Sequence, residues 1–282
     1  MPSEPAFIPQ KPALVAGRLT DGADSWKVEA FTTGDAMAND FIGLWSRRGD
    51  RAALIVFVVL AWIVILTGFG SSIDHRIVTH ARPFTVLTYV HTFVFMAWLI
   101  LFTIQVSLVE QGRIALHRTL GIAGLCLAGL MMIIGPATAI ATQQFVFDHH
   151  GHGLPFLIVQ LGSMVIFGGM VTAAALWRRH PAIHKRLMVL AMVELMGPAV
   201  FRLLIPFVAA WWPKSPYMML ICAYPVVWLM LLGLVAYDLI RWRRVNAGFA
   251  VGVPVHILAH LVFCAIYLAP GWPAVAKAII GR

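Results

Sequence analysis

His256 and His260 lie four residues apart, a spacing that sets two imidazoles on one face of a helix. Such a pair can reach one metal ion, as in helical zinc sites. It can also serve as axial ligands to separate groups, or hydrogen-bond to neighbouring helices. A second cluster, Asp148-His149-His150-Gly151-His152, offers His149, His150 and His152 to a borderline metal such as copper, zinc or iron, with a solvated polar loop as the alternative. Two further motifs, His117-Arg118-Thr119-Leu120-Gly121 and His180-Pro181-Ala182-Ile183-His184-Lys185-Arg186, set histidine beside a cation. That pairing suits a haem propionate, an anionic substrate or a lipid headgroup. His91 completes the set. A bis-histidine haem at His91 needs a second imidazole at equal depth, and the loops that carry His75, His80 and His149 to His152 are where one could come from.

Glu194 is the one carboxyl deep within an apolar block. Counted from Pro181, it lies about 20 Å along a helix, near the middle of a bilayer. A carboxylate there must be protonated, paired or beside water. Arg202 follows two turns later, with Pro198 between them. Glu194 and Arg202 therefore read as a proton relay or switch, or else Glu194 makes a structural contact to Gln105, Gln160 or His260.

The elements that must hold these groups are membrane helices. Hydrophobic residues form 60% and charged residues 12% of the 282-residue chain, and the apolar residues come in blocks of spanning length. The expected fold is an all-α, polytopic helical membrane bundle of about seven transmembrane helices. The spans read as roughly 52–70, 84–109, 117–142, 154–177, 182–208, 217–240 and 252–269. Pro198 predicts a kink in the fifth. Gly124, Ala128, Gly168 and Gly169 offer close-packing surfaces. The tail from Ala274 to Ile280 is too short to cross and should lie at the surface.

The net charge of +9 is concentrated in short turns. Arg47, Arg48, Arg51, Arg113, Arg118, Arg178, Arg179, Lys185, Arg186, Arg241, Arg243 and Arg244 fall on one side, which argues for the positive-inside bias rather than nucleic acid. The N-terminus is then cytoplasmic and the protein belongs to the cell inner membrane. Residues 1–50 form a polar cytoplasmic extension, with Phe41 to Trp45 as a possible surface turn, and 51–282 the transmembrane domain. Cys126, Cys222 and Cys264 are far apart inside apolar blocks and make no redox or metal motif. The chain has no HExxH, GxSxG, P-loop or dinucleotide fingerprint, which leaves hydrolase and nucleotide-driven chemistry without support.

His91, Trp98, Gln105, His117-Arg118-x-Leu120-Gly121 and His184-Lys185-Arg186-Leu187-Met188-x-Leu190-Ala191 together resemble a group of uncharacterised bacterial multi-pass inner-membrane proteins. His256 and the Gly271-Trp272 region also fit. The resemblance implies a helical inner-membrane protein and brings no activity with it. Histidines at both faces of a bundle are more loosely similar to di-haem cytochrome-b-like transmembrane oxidoreductases, although a clear second outer-half histidine is lacking. Three functions stand open. The first is haem or transition-metal binding in membrane redox chemistry through His91, His117, His184, His256 and His260. The second is a proton-coupled transporter or sensor built on Glu194 and Arg202. The third is an accessory subunit of a membrane complex. The bilayer is the partner common to all three, with a second membrane protein or a homo-oligomer as a further expectation.

Overall fold

A computed structural model describes residues 48–79, 85–211 and 217–282. The expectations for the N-terminal extension, for Phe41 to Trp45 and for His80 lie outside the described residues. The described chain is helical. The helices are α1 (Arg48–Val78), α2 (Val86–Glu110), α3 (Ile114–His150), α4 (Leu157–Leu176), α5 (Pro181–Trp211), α6 (Met218–Ala223), α7 (Pro225–Trp242), α8 (Ala247–Leu268) and α9 (Trp272–Ile279), with a short 3₁₀ turn at Leu154–Phe156 before α4. Seven segments are long and apolar enough to cross a membrane, α6 and α7 counting as one. This is the architecture of a multi-pass membrane protein, as the apolar blocks required.

Local chemistry sets the ends. Thr85 caps α2 by accepting from the Thr88 amide, and Asn246 caps α8 by accepting from the Gly248 amide at 2.9 Å. Gly151 takes a left-handed conformation to close α3. Pro225 cannot continue the hydrogen-bond ladder of α6, and the sixth span is therefore two helices that meet at Tyr224.

Three boundaries differ from the sequence reading. The first helix, α1, continues to Val78, eight residues past the expected end of its span, so His75 belongs to a helix and not to a loop. At 37 residues, α3 is about 55 Å long, well beyond a hydrocarbon core of about 30 Å. Its final turns carry His149 and His150, so these belong to a helix end and not to a loop. The C-terminal tail forms α9, which docks on that end. Trp272 donates to the Pro155 carbonyl at 3.0 Å, Gln144 donates to the Ile280 carbonyl at 2.8 Å, and Arg282 holds Asp148 through two bonds of 2.8 and 2.7 Å.

The bundle is built around α5. Leu190, Ala191, Met192, Val193 and Met196 are almost fully buried although they point in all directions, as expected for a helix with neighbours on every side. Small residues let those neighbours close in. A side chain at Gly68 would strike the backbone of Ala199, so α1 and α5 are in main-chain contact there. Gly168 of α4 lies against Met132 of α3, whereas Gly169 faces open space. Gly248 and Gly252 bring α8 onto Ile183, Arg186, Leu187 and Leu190 of α5.

At the arginine-rich end, one buried ion pair ties three helices together. Arg186 of α5 donates to both carboxylate oxygens of Asp238 on α7, at 2.9 and 2.5 Å. The amide of Asn246, at the cap of α8, donates to the same carboxylate at 3.0 Å. Arg186 also lies over the Phe249 ring. Arg186 is thus a paired core residue as well as one of the topogenic cations counted from the sequence. Removing one partner of such a pair strands a charge, at a cost of about 3–5 kcal/mol. Asp238→Ala is expected to lower the thermal unfolding midpoint in detergent sharply, and adding Arg186→Met to recover most of the loss. A double variant as unstable as the single one would show that the charge pair is not what holds this end.

Candidate functional site

The deepest polar site is assembled by a single face of α8. Gly248, Gly252, His256 and His260 follow at intervals of four and all are buried. The two glycines bring the α8 backbone up to α5, and the next two positions on the same ridge then carry side chains long enough to reach Glu194. His256, His260 and Glu194 are 0%, 1% and 3% exposed. His256 Nε2 stands 2.6 Å and His260 Nε2 3.1 Å from the same oxygen, Oε2 of Glu194. The imidazole rings meet edge to face, with centroids 4.9 Å apart.

Trp228 of α7 fixes the tautomer of His260. The indole N–H can only donate, and it lies 3.0 Å from Nδ1 of His260. That nitrogen must therefore hold a lone pair. A neutral His260 then carries its proton on Nε2 and donates it to Glu194. Tyr224 covers the other side of the same ring, with centroids 4.2 Å apart, and stacks against Trp228 one turn on. The break at Pro225 is what aims both aromatics here, since Tyr224 ends α6 and Trp228 lies in the first turn of α7. His256 has no such partner. Its Nδ1 is buried and unpaired among the described residues, as is the Tyr224 hydroxyl.

Glu194, His256 and His260 are also, among the described residues, the one group of three or more potential ligands with donor atoms close enough for an ion, all within 4.8 Å of one another. The bonding in place is that of protons. Two ligands bonded to zinc at 2.0–2.1 Å in a tetrahedral arrangement sit about 3.3 Å apart, whereas His256 and Glu194 are at 2.6 Å. A neutral imidazole has one lone pair, and that of His260 is already directed at Trp228.

The remaining sequence candidates lie elsewhere. Arg202 does not turn back to Glu194. Its Nη1 donates to the Pro198 carbonyl at 2.8 Å, and its guanidinium lies over the Phe69 ring of α1 at 4.4 Å. The carboxylate finds its partners on α8 because the side chains at 256 and 260 point straight across the helix contact. His91 stacks on Phe95 of its own helix at 4.0 Å, with its buried Nδ1 unpaired among the described residues. His149 is exposed, stacks on Phe145 and donates from Nδ1 to the Phe145 carbonyl at 2.9 Å. His150 and His152 are exposed and stack on each other at 5.7 Å. These three are not brought together as ligands.

His117 and His184 do meet. Their rings are 6.4 Å apart and nearly perpendicular. His184 lies ten residues before Glu194, about 15 Å along α5, so this pair is separate from the Glu194 site. The five histidines offered as ligands from the sequence are thus parted, with His256 and His260 at Glu194, His117 and His184 together about 15 Å along α5, and His91 against Phe95.

Spacing along a single helix does not mark Trp228, Tyr224 or Asp238 as partners of these groups. Asp238 left a signal, an acid inside an apolar block one turn before Arg241. The small-residue ladder that leads from Gly248 to His260 was another. No protein-family model, no curated protein and no solved structure matches the chain.

The Trp228 contact has a direct spectroscopic consequence. In ¹⁵N spectra of histidine-labelled protein, His260 is expected as a neutral ring with its proton on Nε2. Trp228→Phe should remove that single tautomer. A signal for His260 with its proton on Nδ1 in the unaltered protein would overturn the assignment.

Proposed function

We infer that this chain is a proton-coupled membrane transporter of the inner membrane in which Glu194, His256 and His260 form the proton-loading site. The observation that carries this reading is the sharing of one carboxylate oxygen by two imidazoles, sealed from solvent halfway along the central helix.

The hydrogen-bond pattern leaves room for one exchangeable proton. With His260 held neutral, that proton belongs to the Glu194–His256 pair. When it is present, the site is neutral overall, either as carboxylic acid and imidazole or as carboxylate and imidazolium. When it is absent, the three residues carry one net negative charge. Each state has a defect. With the extra proton in the 2.6 Å bond between Glu194 and His256, the loaded state puts an N–H on His256 Nδ1, which has no acceptor among the described residues, and a buried unpaired donor costs about 1–3 kcal/mol. The empty state leaves an uncompensated charge in an apolar span, which is expensive as well. A site with two imperfect states responds to whatever changes its surroundings, such as water reaching Nδ1 or a cation reaching Glu194. That is the property a coupled carrier needs.

The neighbouring backbone supports this use. Pro198 has no amide proton, so the carbonyl of Glu194 lacks its usual donor four residues on. A second proline, Pro206, repeats the interruption for the Arg202 carbonyl. The half of α5 beyond Glu194 is therefore held by fewer ladder bonds than the half before it.

A metal centre on the same three residues is the second reading, favoured by the closeness of their donor atoms. It requires Trp228 to release His260, so metal content should rise in Trp228→Phe. The proton reading makes the opposite demand. Infrared difference spectra taken across a pH step should show one protonation change at the site, in a carboxyl band or in an imidazolium ring band. The band should vanish in Glu194→Gln and change in His256→Gln, while the folded fraction stays near that of the unaltered protein, since Gln still hydrogen-bonds between helices. A spectrum with no such protonation change, or one that is unchanged in Glu194→Gln, would end the proton-loading reading.

A further inference from the structure

The second histidine pair has the opposite hydrogen-bond logic to the first. His184 Nδ1 lies 2.8 Å from the carbonyl oxygen of Ala174, which can only accept. His184 therefore donates from Nδ1, and in the neutral ring its lone pair sits on Nε2. A ring that gives one N–H to a backbone carbonyl and presents the other nitrogen outward is arranged as metal-bound histidines are, the carbonyl fixing tautomer and direction. His260, whose lone pair faces an indole N–H, is arranged in the contrary way.

Two more donors stand nearby, His117 beside His184 and Gln105 beside His117. His117, half-buried in the first turn of α3, has its Nδ1 buried and unpaired among the described residues. Gln105, near the end of α2, donates its amide N–H to the His117 carbonyl at 3.2 Å, and the side-chain oxygen left over is also buried and unpaired among the described residues. The three residues come from α2, α3 and α5, and Ala174 of α4 supplies the support behind them. The His184 lone pair, the Gln105 oxygen and a His117 ring nitrogen without a partner among the described residues are better satisfied by a cation than by one another.

We propose that His117 and His184, with Gln105 oxygen as a direct or water-mediated third donor, bind a divalent first-row transition-metal ion at the arginine-rich end of the bundle. The spacing admits it. An ion 2.0–2.1 Å from a nitrogen of each ring lies about 3.2 Å from each ring centre, so two rings that share an ion have centres at most about 6.4 Å apart. The rings stand at that limit. A tetrahedral angle asks them to close by about 1 Å, within the reach of side-chain rotation at half-buried His117. Two imidazoles and an amide oxygen leave at least one coordination position for water or substrate, the form of an open site rather than a structural one. Arg118, next to His117 in sequence, opposes a divalent charge, so the ion is held weakly and exchanges.

The test uses the purified full-length chain stripped with chelator and titrated with cobalt(II), whose visible bands report nitrogen and oxygen ligands. The unaltered protein should bind one cobalt per chain, displaceable by zinc. Affinity should fall at least tenfold in both His117→Ala and His184→Ala, and stay within about twofold in Glu194→Gln and in His150→Ala. His117 sits at an accessible helix start, so His117→Ala keeps the proposal testable if His184→Ala does not fold. Absence of saturable cobalt binding would overturn the proposal. Loss of binding in Glu194→Gln with retention in His117→Ala would overturn it too, by moving the ion to the deep site, and loss in His150→Ala alone would move it to the opposite end. These outcomes do not touch the infrared test of Glu194, so the two readings fail separately.

Discussion

One carboxylate in the middle of an apolar helix constrains the rest of this bundle. Glu194 cannot be left to lipid, and within the described residues its partners are His256 and His260. Meeting that demand fixes how α8 must lie on α5, because Nε2 atoms on two successive turns have to reach one oxygen. It fixes why Gly248 and Gly252 precede the histidines, since larger residues would hold the backbones apart. It also fixes the place of α7, whose Trp228 orients the second imidazole. The hydrophobic core supplies most of the contact area, but hydrophobic residues facing lipid and facing protein differ little in free energy. The polar contacts and the close glycine approaches therefore decide which faces meet.

The same reasoning explains what could be read from the sequence. Seven spans were legible because lipid allows few backbone solutions, and runs of apolar residues of the right length leave little choice. Glu194 and the pair at 256 and 260 were legible as polar residues that need partners, and His260 was among the contacts expected for Glu194. Their places on one helix suggest pairing Glu194 with Arg202, but eight residues of helix is about 12 Å, and Arg202 meets Phe69 and its own helix first. Cross-helix neighbours such as Trp228 and Tyr224 could not be found by spacing along one helix. They depend on the break at Pro225 and on the rotation of α7, neither of which the sequence pattern sets. The length of α3 was hidden for a related reason. Its last turns leave the apolar block while the helix continues on its own hydrogen bonds and is held by α9.

The histidines show that residue type alone does not settle chemistry. His260 and His184 are both within membrane-crossing helices, and both have Nδ1 in a strong hydrogen bond. One accepts from an indole and the other donates to a carbonyl. The first therefore offers a proton through Nε2 and the second a lone pair. Whether a histidine in this bundle presents a proton or a lone pair thus depends on a single neighbouring atom supplied by another helix.

The two ends of α5 are unequally held, and this gives the central helix a direction. Before Glu194, the bidentate clamp between Arg186 and Asp238 and the Asn246 cap join α5, α7 and α8. Beyond Glu194, Pro198 and Pro206 each delete a ladder bond, and the arginine there takes up the Pro198 carbonyl with its side chain. A change in charge at the Glu194 site acts at the junction between these halves. The clamped half is joined by charge-assisted bonds to two other helices, so a displacement there must break several at once. The proline-interrupted half has fewer bonds to break, and its carbonyls at 194 and 202 can turn toward water or a cation without further cost. For the proton-loading role proposed for Glu194, access would therefore open most readily from the proline side, away from the arginine-rich end where His117 and His184 sit.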